Sequence, residues 1–155
     1  ALTKLGERFP MVEPEKAVLD GIRDVDQGER ELAKECGIKV YSMREIDILG
    51  MDRVMKEAVA IVTHGTAGFH LSFDMDGLDP YEAPGVGTPV RGGLSLRESH
   101  LIMEMVSDSG RLVSMEFAEL NPIHDVANQT GQLLCELVGS ALGKKVMPTT
   151  GPRRR

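Results

Sequence analysis

Residues 70–80 read HLSFDMDGLDP. A strand-like apolar run ends there in three acids, Asp74, Asp76 and Asp79, and then a proline. Residues 69–74, FHLSFD, read as a β-strand. Side chains two apart on a strand point the same way, so Asp74 and Asp76 converge if the extended geometry continues one step past the strand. Two neighbouring carboxylates repel unless a positive charge lies between them, and a divalent cation is a common solution. Oxygen donors suit Mg, Ca or Mn. An Asp-x-Asp pair also reads as a polar loop start with capping and turn roles. Asp79 precedes Pro80, a turn-initiating pair, which favours loop bracing for Asp79 over ligation.

Beyond these acids, residues 75–93 form a long loop with five glycines and three prolines. Loops of this length inside a compact domain are usually functional. Residues 95–110, SLRESHLIMEMVSDSG, carry the clearest helix signal. Ser95 and Glu98 have capping-box spacing, and Gly110 ends the run. Residues 111–120, RLVSMEFAEL, predict a strand, 121–131 a loop and 132–145 a closing helix. Upstream, residues 16–24 predict a short strand running into a loop, and 27–36 a helix closed by Gly37. Residues 38–43 alternate as a strand, and 43–62 carry two helices broken at Gly50. About four strands alternating with helices predict an α/β fold, a three-layer parallel sheet with helices on both faces.

The chain of 155 residues is long enough for one domain. Its 41% hydrophobic and 27% charged residues suit a globular protein. A net charge of −6 argues against a general nucleic-acid binder. No apolar run approaches the ~20 residues that span a membrane, and the N-terminus has no signal-peptide core. Cys36 and Cys135 share no motif and are expected as reduced, buried thiols, which fits a cytoplasmic setting. The basic tail, 147–155, is expected to be a mobile end.

In open α/β sheets, sites form outside the C-terminal ends of strands. Three such ends are acidic here: Asp24, Asp26 and Glu29 in IRDVDQGE; Asp74, Asp76 and Asp79; and Glu119 in FAELNP. Together these segments resemble the arginase family of ureohydrolases, which are binuclear manganese enzymes. SFDMDGLDP (72–80) resembles a metal motif of that family. GIRDVDQGE (21–29) resembles the loop that receives the amino-acid end of the substrate. APGVGTPVRGGLSLRES (83–99) is similar to the loop and helix that follow, and EFAELNP (116–122) to the segment whose carboxylate faces the guanidinium. The resemblance runs in order from about residue 13 to residue 146.

The resemblance implies hydrolysis of the L-arginine guanidinium to L-ornithine and urea by a metal-bridging hydroxide. Two Mn²⁺ ions would serve each complete site, with Co or Fe as substitutes. It assigns Asp74 as a bridging ligand, Asp76 as a chelating ligand and Glu119 as the guanidinium's partner. Asp26 and Glu29 would hold the α-ammonium group, and Thr88 would lie in the site. The dipole at a helix N-terminus is an equally direct explanation for Glu29. Agmatinase or guanidino-acid hydrolase is the related alternative, although RDVDQGE suits a substrate with an amino-acid end.

An earlier histidine ligand and an Asp-x-His-x-Asp cluster, expected from the family, do not occur in this sequence. His64, His70, His100 and His124 fit structural or solvated roles. Residues 1–146 therefore read as the C-terminal half of an arginase-like domain, part of a larger sheet. The isolated chain is expected to lack a competent site and to expose an apolar edge that favours a partner. The complete protein is expected to be a homo-oligomer, a trimer or hexamer, with Arg97 and Glu98 where subunit contacts fall; a capping box and solvated face explain them equally. Two other classes compete. Haloacid-dehalogenase-like phosphohydrolases share DMDG, but Leu78 stands where their Thr or Val tends to follow. A non-catalytic binding or assembly protein of the same fold is the other.

Overall fold

A computed structural model describes residues 11–147; the predicted basic tail lies almost wholly outside them. Strand β1 (Val18–Ile22) leads to α1 (Gln27–Cys36), β2 (Lys39–Ser42), α2 (Met43–Leu49) and α3 (Met51–Thr63). Then follow β3 (Phe69–Asp74), the long loop, α4 (Leu96–Ser109), β4 (Leu112–Ala118) and α5 (Gln129–Ala141). The α/β class, the four strands and the break at Gly50 agree with the sequence reading. All pairing between strands is parallel, and it runs two by two, β1 with β2 and β3 with β4.

Both ladders lean on one core. Helices α3 and α4 each bury a stripe at i, i+3, i+4, i+7: Met51, Val54, Met55, Ala58 and Ser99, Ile102, Met103, Val106. That spacing is one face of a helix. Leu133, Leu137 and Ala141 of α5 extend the packed layer. Tyr41 from β2 and Phe73 from β3 meet it from the strands. Phe73 and its register partner Phe117 pack with ring centroids 5.6 Å apart and planes tilted by 48°. Helix α1 covers the other side of β1–β2 and has no buried residue; a groove of ≈ 790 Å³ separates it from Leu19 and Val40.

Two expectations need correction here. Cys36 and Cys135 are exposed, not buried. Cys36 ends the lightly packed α1, and Cys135 lies off the α5 stripe of Leu133 and Leu137. Helix α5 starts at Gln129, three residues before the predicted position. Asp125 is the reason: its carboxylate accepts from the amides of Thr130 (3.0 Å) and Gly131 (3.1 Å), satisfying first-turn donors. Two histidines do have structural bonds, His70 to Ser114 and His100 to Ser140. Glu98 is engaged in the predicted capping box with Ser95, and Arg97 is exposed.

Two residues of β1 and the following loop make measurable demands. Asp20 on β1 has a buried Oδ1 without a hydrogen-bond partner, and burial pushes its carboxyl up to about 6. The folded-state value lies above the unfolded one, so the unfolded chain releases its proton first as pH rises. Stability should fall between about pH 4 and pH 6, by at most about 3 kcal/mol. Urea unfolding across that range should show this slope in the parent and not in Asp20→Asn; parallel profiles would refute it. Gly93 packs on the main chain of Leu78, where a Cβ would sit 2.5 Å from the carbonyl carbon. Gly93→Ala should destabilise by about 1–3 kcal/mol in the same measurement.

Candidate metal and substrate site

The extended geometry of β3 stops at Asp74. Met75–Gly77 forms one turn of 3₁₀ helix, in which residues three apart share a face. Met75 and Leu78 share the inward face and are fully buried. Asp74 and Asp76 are left outside the core by that burial, not by continued strand geometry. Asp74 also caps the turn, its Oδ1 accepting from the Asp76 amide at 3.1 Å. Thr88, from the long loop, donates its hydroxyl to Oδ2 of Asp76.

Glu119 follows β4 by one residue and has φ 62°, in the left-handed region. Few residues other than glycine adopt it, and such strain is concentrated at functional sites. The loop meets this segment edge to edge. Val86 bridges Leu120, and the Asn121 amide donates to the Gly85 carbonyl at 2.8 Å. A Cβ on Gly87 would stand 3.4 Å from Oε2 of Glu119. Gly85 has no room for a side chain, because Asp125 would lie 2.5 Å from its Cβ. The Gly85 amide in turn donates to the buried Thr130 hydroxyl at 2.7 Å.

Asp74, Asp76, Thr88 and Glu119 thus gather at the ends of β3 and β4. Desolvation raises the Asp74 carboxyl, and the negative charges of Asp76 and Glu119 raise it further. Hard oxygen donors with mutual repulsion suit an oxygen-loving divalent cation. Among the described residues, no group of three or more His, Cys, Asp or Glu is placed to hold a metal. The two aspartates fit as part of a ligand set.

Asp26 and Glu29 lie at the start of α1, both exposed, and form a complete capping box. Asp26 Oδ1 accepts from the Glu29 amide at 2.9 Å, and Glu29 Oε2 accepts from the Asp26 amide at 3.1 Å. The box uses one oxygen of each carboxylate. Asp79 braces the loop as expected, accepting from the amides of Tyr81 (3.0 Å) and Gly92 (2.8 Å). These amides, with Arg23 near by, hold its carboxyl below the usual range.

Arg23 is the residue that sequence reasoning missed. Its guanidinium donates to the carbonyls of Asp76 (2.7 Å), Gly77 (3.2 Å), Leu78 (3.3 Å) and Val90 (2.7 and 3.2 Å). A lone arginine beside acids reads as a solvated charge, and nothing in its spacing signals main-chain partners.

Known proteins share this fold and sequence. The model of the Arginase family matches residues 6–143. An arginase of Bacillus caldovelox is 52% identical over 147 residues, covering 95% of this chain and 49% of the relative. An arginase of Brevibacillus brevis is 53% identical over 146 residues, covering 94% and 49%. The native structure of the Bacillus caldovelox arginase superposes with a TM-score of 0.91 at 51% identity, over 94% of this chain and 49% of that one. A hypothetical agmatinase from Burkholderia thailandensis superposes at 0.72 with 28% identity, over 84% and 39%. The chain belongs to the arginase family. It spans about half the length of the curated relatives it matches.

The strain at Glu119 yields a prediction. Glycine occupies the left-handed region without a Cβ penalty, while adding about 0.5–1 kcal/mol of unfolded-state entropy cost. Glu119→Gly should therefore leave stability unchanged or raise it by up to about 1 kcal/mol in denaturant unfolding. A loss of more than about 1 kcal/mol would show that the Glu119 side chain holds the fold together.

Proposed function

We propose that the protein is a manganese-dependent arginase that hydrolyses L-arginine to L-ornithine and urea. The observation that carries this reading is the gathering of Asp74, Asp76, Thr88 and Glu119 at two adjacent strand ends. The chain in which they gather is about half identical to proteins called arginases. Asp74 and Asp76 would hold Mn²⁺, two ions per complete site, with the remaining ligands supplied from outside the described residues. Bound manganese would supply Lewis acidity and ionise water near neutral pH.

The chain's own residues provide orientation. Glu119 would hold the guanidinium by charge-assisted hydrogen bonds, bidentate if both oxygens engage. The main chain beside it is held by the Gly85–Asn121 and Val86–Leu120 pairing, which sets where its side chain leaves the backbone. Thr88 would fix Asp76 in one rotamer through its hydroxyl. The second oxygens of Asp26 and Glu29 would take the α-ammonium, and the capping box holds both side chains by their other oxygen. Acids that take an α-ammonium favour arginine over 4-guanidinobutanoate, which has no ammonium group, and the likeness to arginases favours arginine over agmatine. The complete protein would assemble as a trimer or hexamer, as its likeness to arginases implies; the strand edges left open here would be covered by the rest of the sheet.

Urea release tests the reading. The protein at its natural length, with Mn²⁺, should turn over L-arginine in strong preference to agmatine and 4-guanidinobutanoate. Asp76→Asn and Glu119→Gln should each lower kcat/KM by about 100-fold or more, and Asp26→Asn should act chiefly on KM. The 155-residue chain alone should release no urea. Preference for agmatine would shift the assignment to another ureohydrolase, and no turnover with any guanidino compound would leave a binding role.

A further inference from the structure

We propose that Arg23 is a positioning residue that ties the substrate-reading loop to the turn bearing Asp76, a role that rests on the reading of Asp76 as a metal ligand. Arg23 lies three residues before Asp26, and all five of its hydrogen bonds end on main-chain carbonyls. Three of these carbonyls, at Asp76, Gly77 and Leu78, are consecutive. Their oxygens point toward one spot, an arrangement that repels itself unless a cation occupies that spot. The guanidinium occupies it and reaches across to Val90 on the returning limb of the loop.

The bulge at Gly21 makes this reach possible. Register between β1 and β2 shifts between Asp20 and Ile22, and Gly21 has φ 78°, with the Leu94 side chain 3.5 Å from where a Cβ would stand. A bulge at a strand end re-aims the residues that follow. The clamp adds to the bonds from Leu94 to Gly77 (3.0 Å) and from Asp79 to Leu94 (2.9 Å), which zip the two limbs together. Loosening it would let the Asp76 turn and the Asp26 loop drift independently.

Lysine keeps the charge and loses the planar fork, since its three donors share one atom. In the protein at its natural length, Arg23→Lys should bind Mn²⁺ about 10–100-fold more weakly, the usual effect of removing a group that orients a ligand. Most of kcat should return at saturating Mn²⁺. Hydrogen exchange at the Asp79, Gly92 and Leu94 amides should accelerate at least about tenfold, matching a local opening made cheaper. Guanidinium added to Arg23→Ala should slow that exchange again. Arg91→Lys, an exposed arginine of the same loop, serves as the control and should change neither readout. Unchanged Mn²⁺ affinity in Arg23→Lys, with or without faster exchange, overturns the positioning role. A parent protein with no Mn²⁺ affinity overturns the proposed function and this role together.

Discussion

The burial of Met75 and Leu78 governs the arrangement of the site. Both side chains are fully enclosed, and they stand three apart, which a strand would send to opposite faces. A single 3₁₀ turn brings them to the same face. The chain therefore leaves its extended path immediately after Asp74, and Asp76 stays outside the core. Carboxylates that could not be buried singly without cost are gathered at the surface of a tightly packed hydrophobic step.

The loop that follows has little regular structure, yet side chains hold much of its polar main chain. Asp79 takes two amides, Arg23 takes four carbonyls, and the Thr130 hydroxyl takes the Gly85 amide. Asp125 then holds the start of α5, which carries Thr130. Buried and half-buried main-chain groups need partners, and here side chains from three separate segments provide them. The long loop is in this way as constrained as a strand, and Thr88 and Gly87 are delivered to Asp76 and Glu119 with little freedom. Gly85 and Gly93 serve close approach, each backbone running against a neighbour that a side chain would crowd.

Much of this was legible in the chain. The helices at 27–36, 43–49, 51–63 and 96–109 follow from apolar spacing, capping residues and glycine stops, all of which act within a few residues. The acids at strand ends followed from the same local reading, as did the bracing role of Asp79. The exposure of both cysteines and the early start of α5 did not, because each depends on what packs opposite. Asp125 acts on amides five and six residues ahead, beyond the range of the usual capping signal.

By itself, the sequence determined the α/β class, the four parallel-strand segments and the identity of the acids available for chemistry. These rest on periodicity and on side-chain type, which are properties of neighbouring residues. Tertiary structure alone decided that Asp76 is turned outward by a buried pair rather than by strand alternation. It alone brought Thr88 and Glu119 to the same place, and it gave Arg23 its carbonyls, more than fifty residues away. The physical reason is common to all three. Each position is set by contacts between segments distant in sequence, and such contacts leave no periodic mark on the residues that make them.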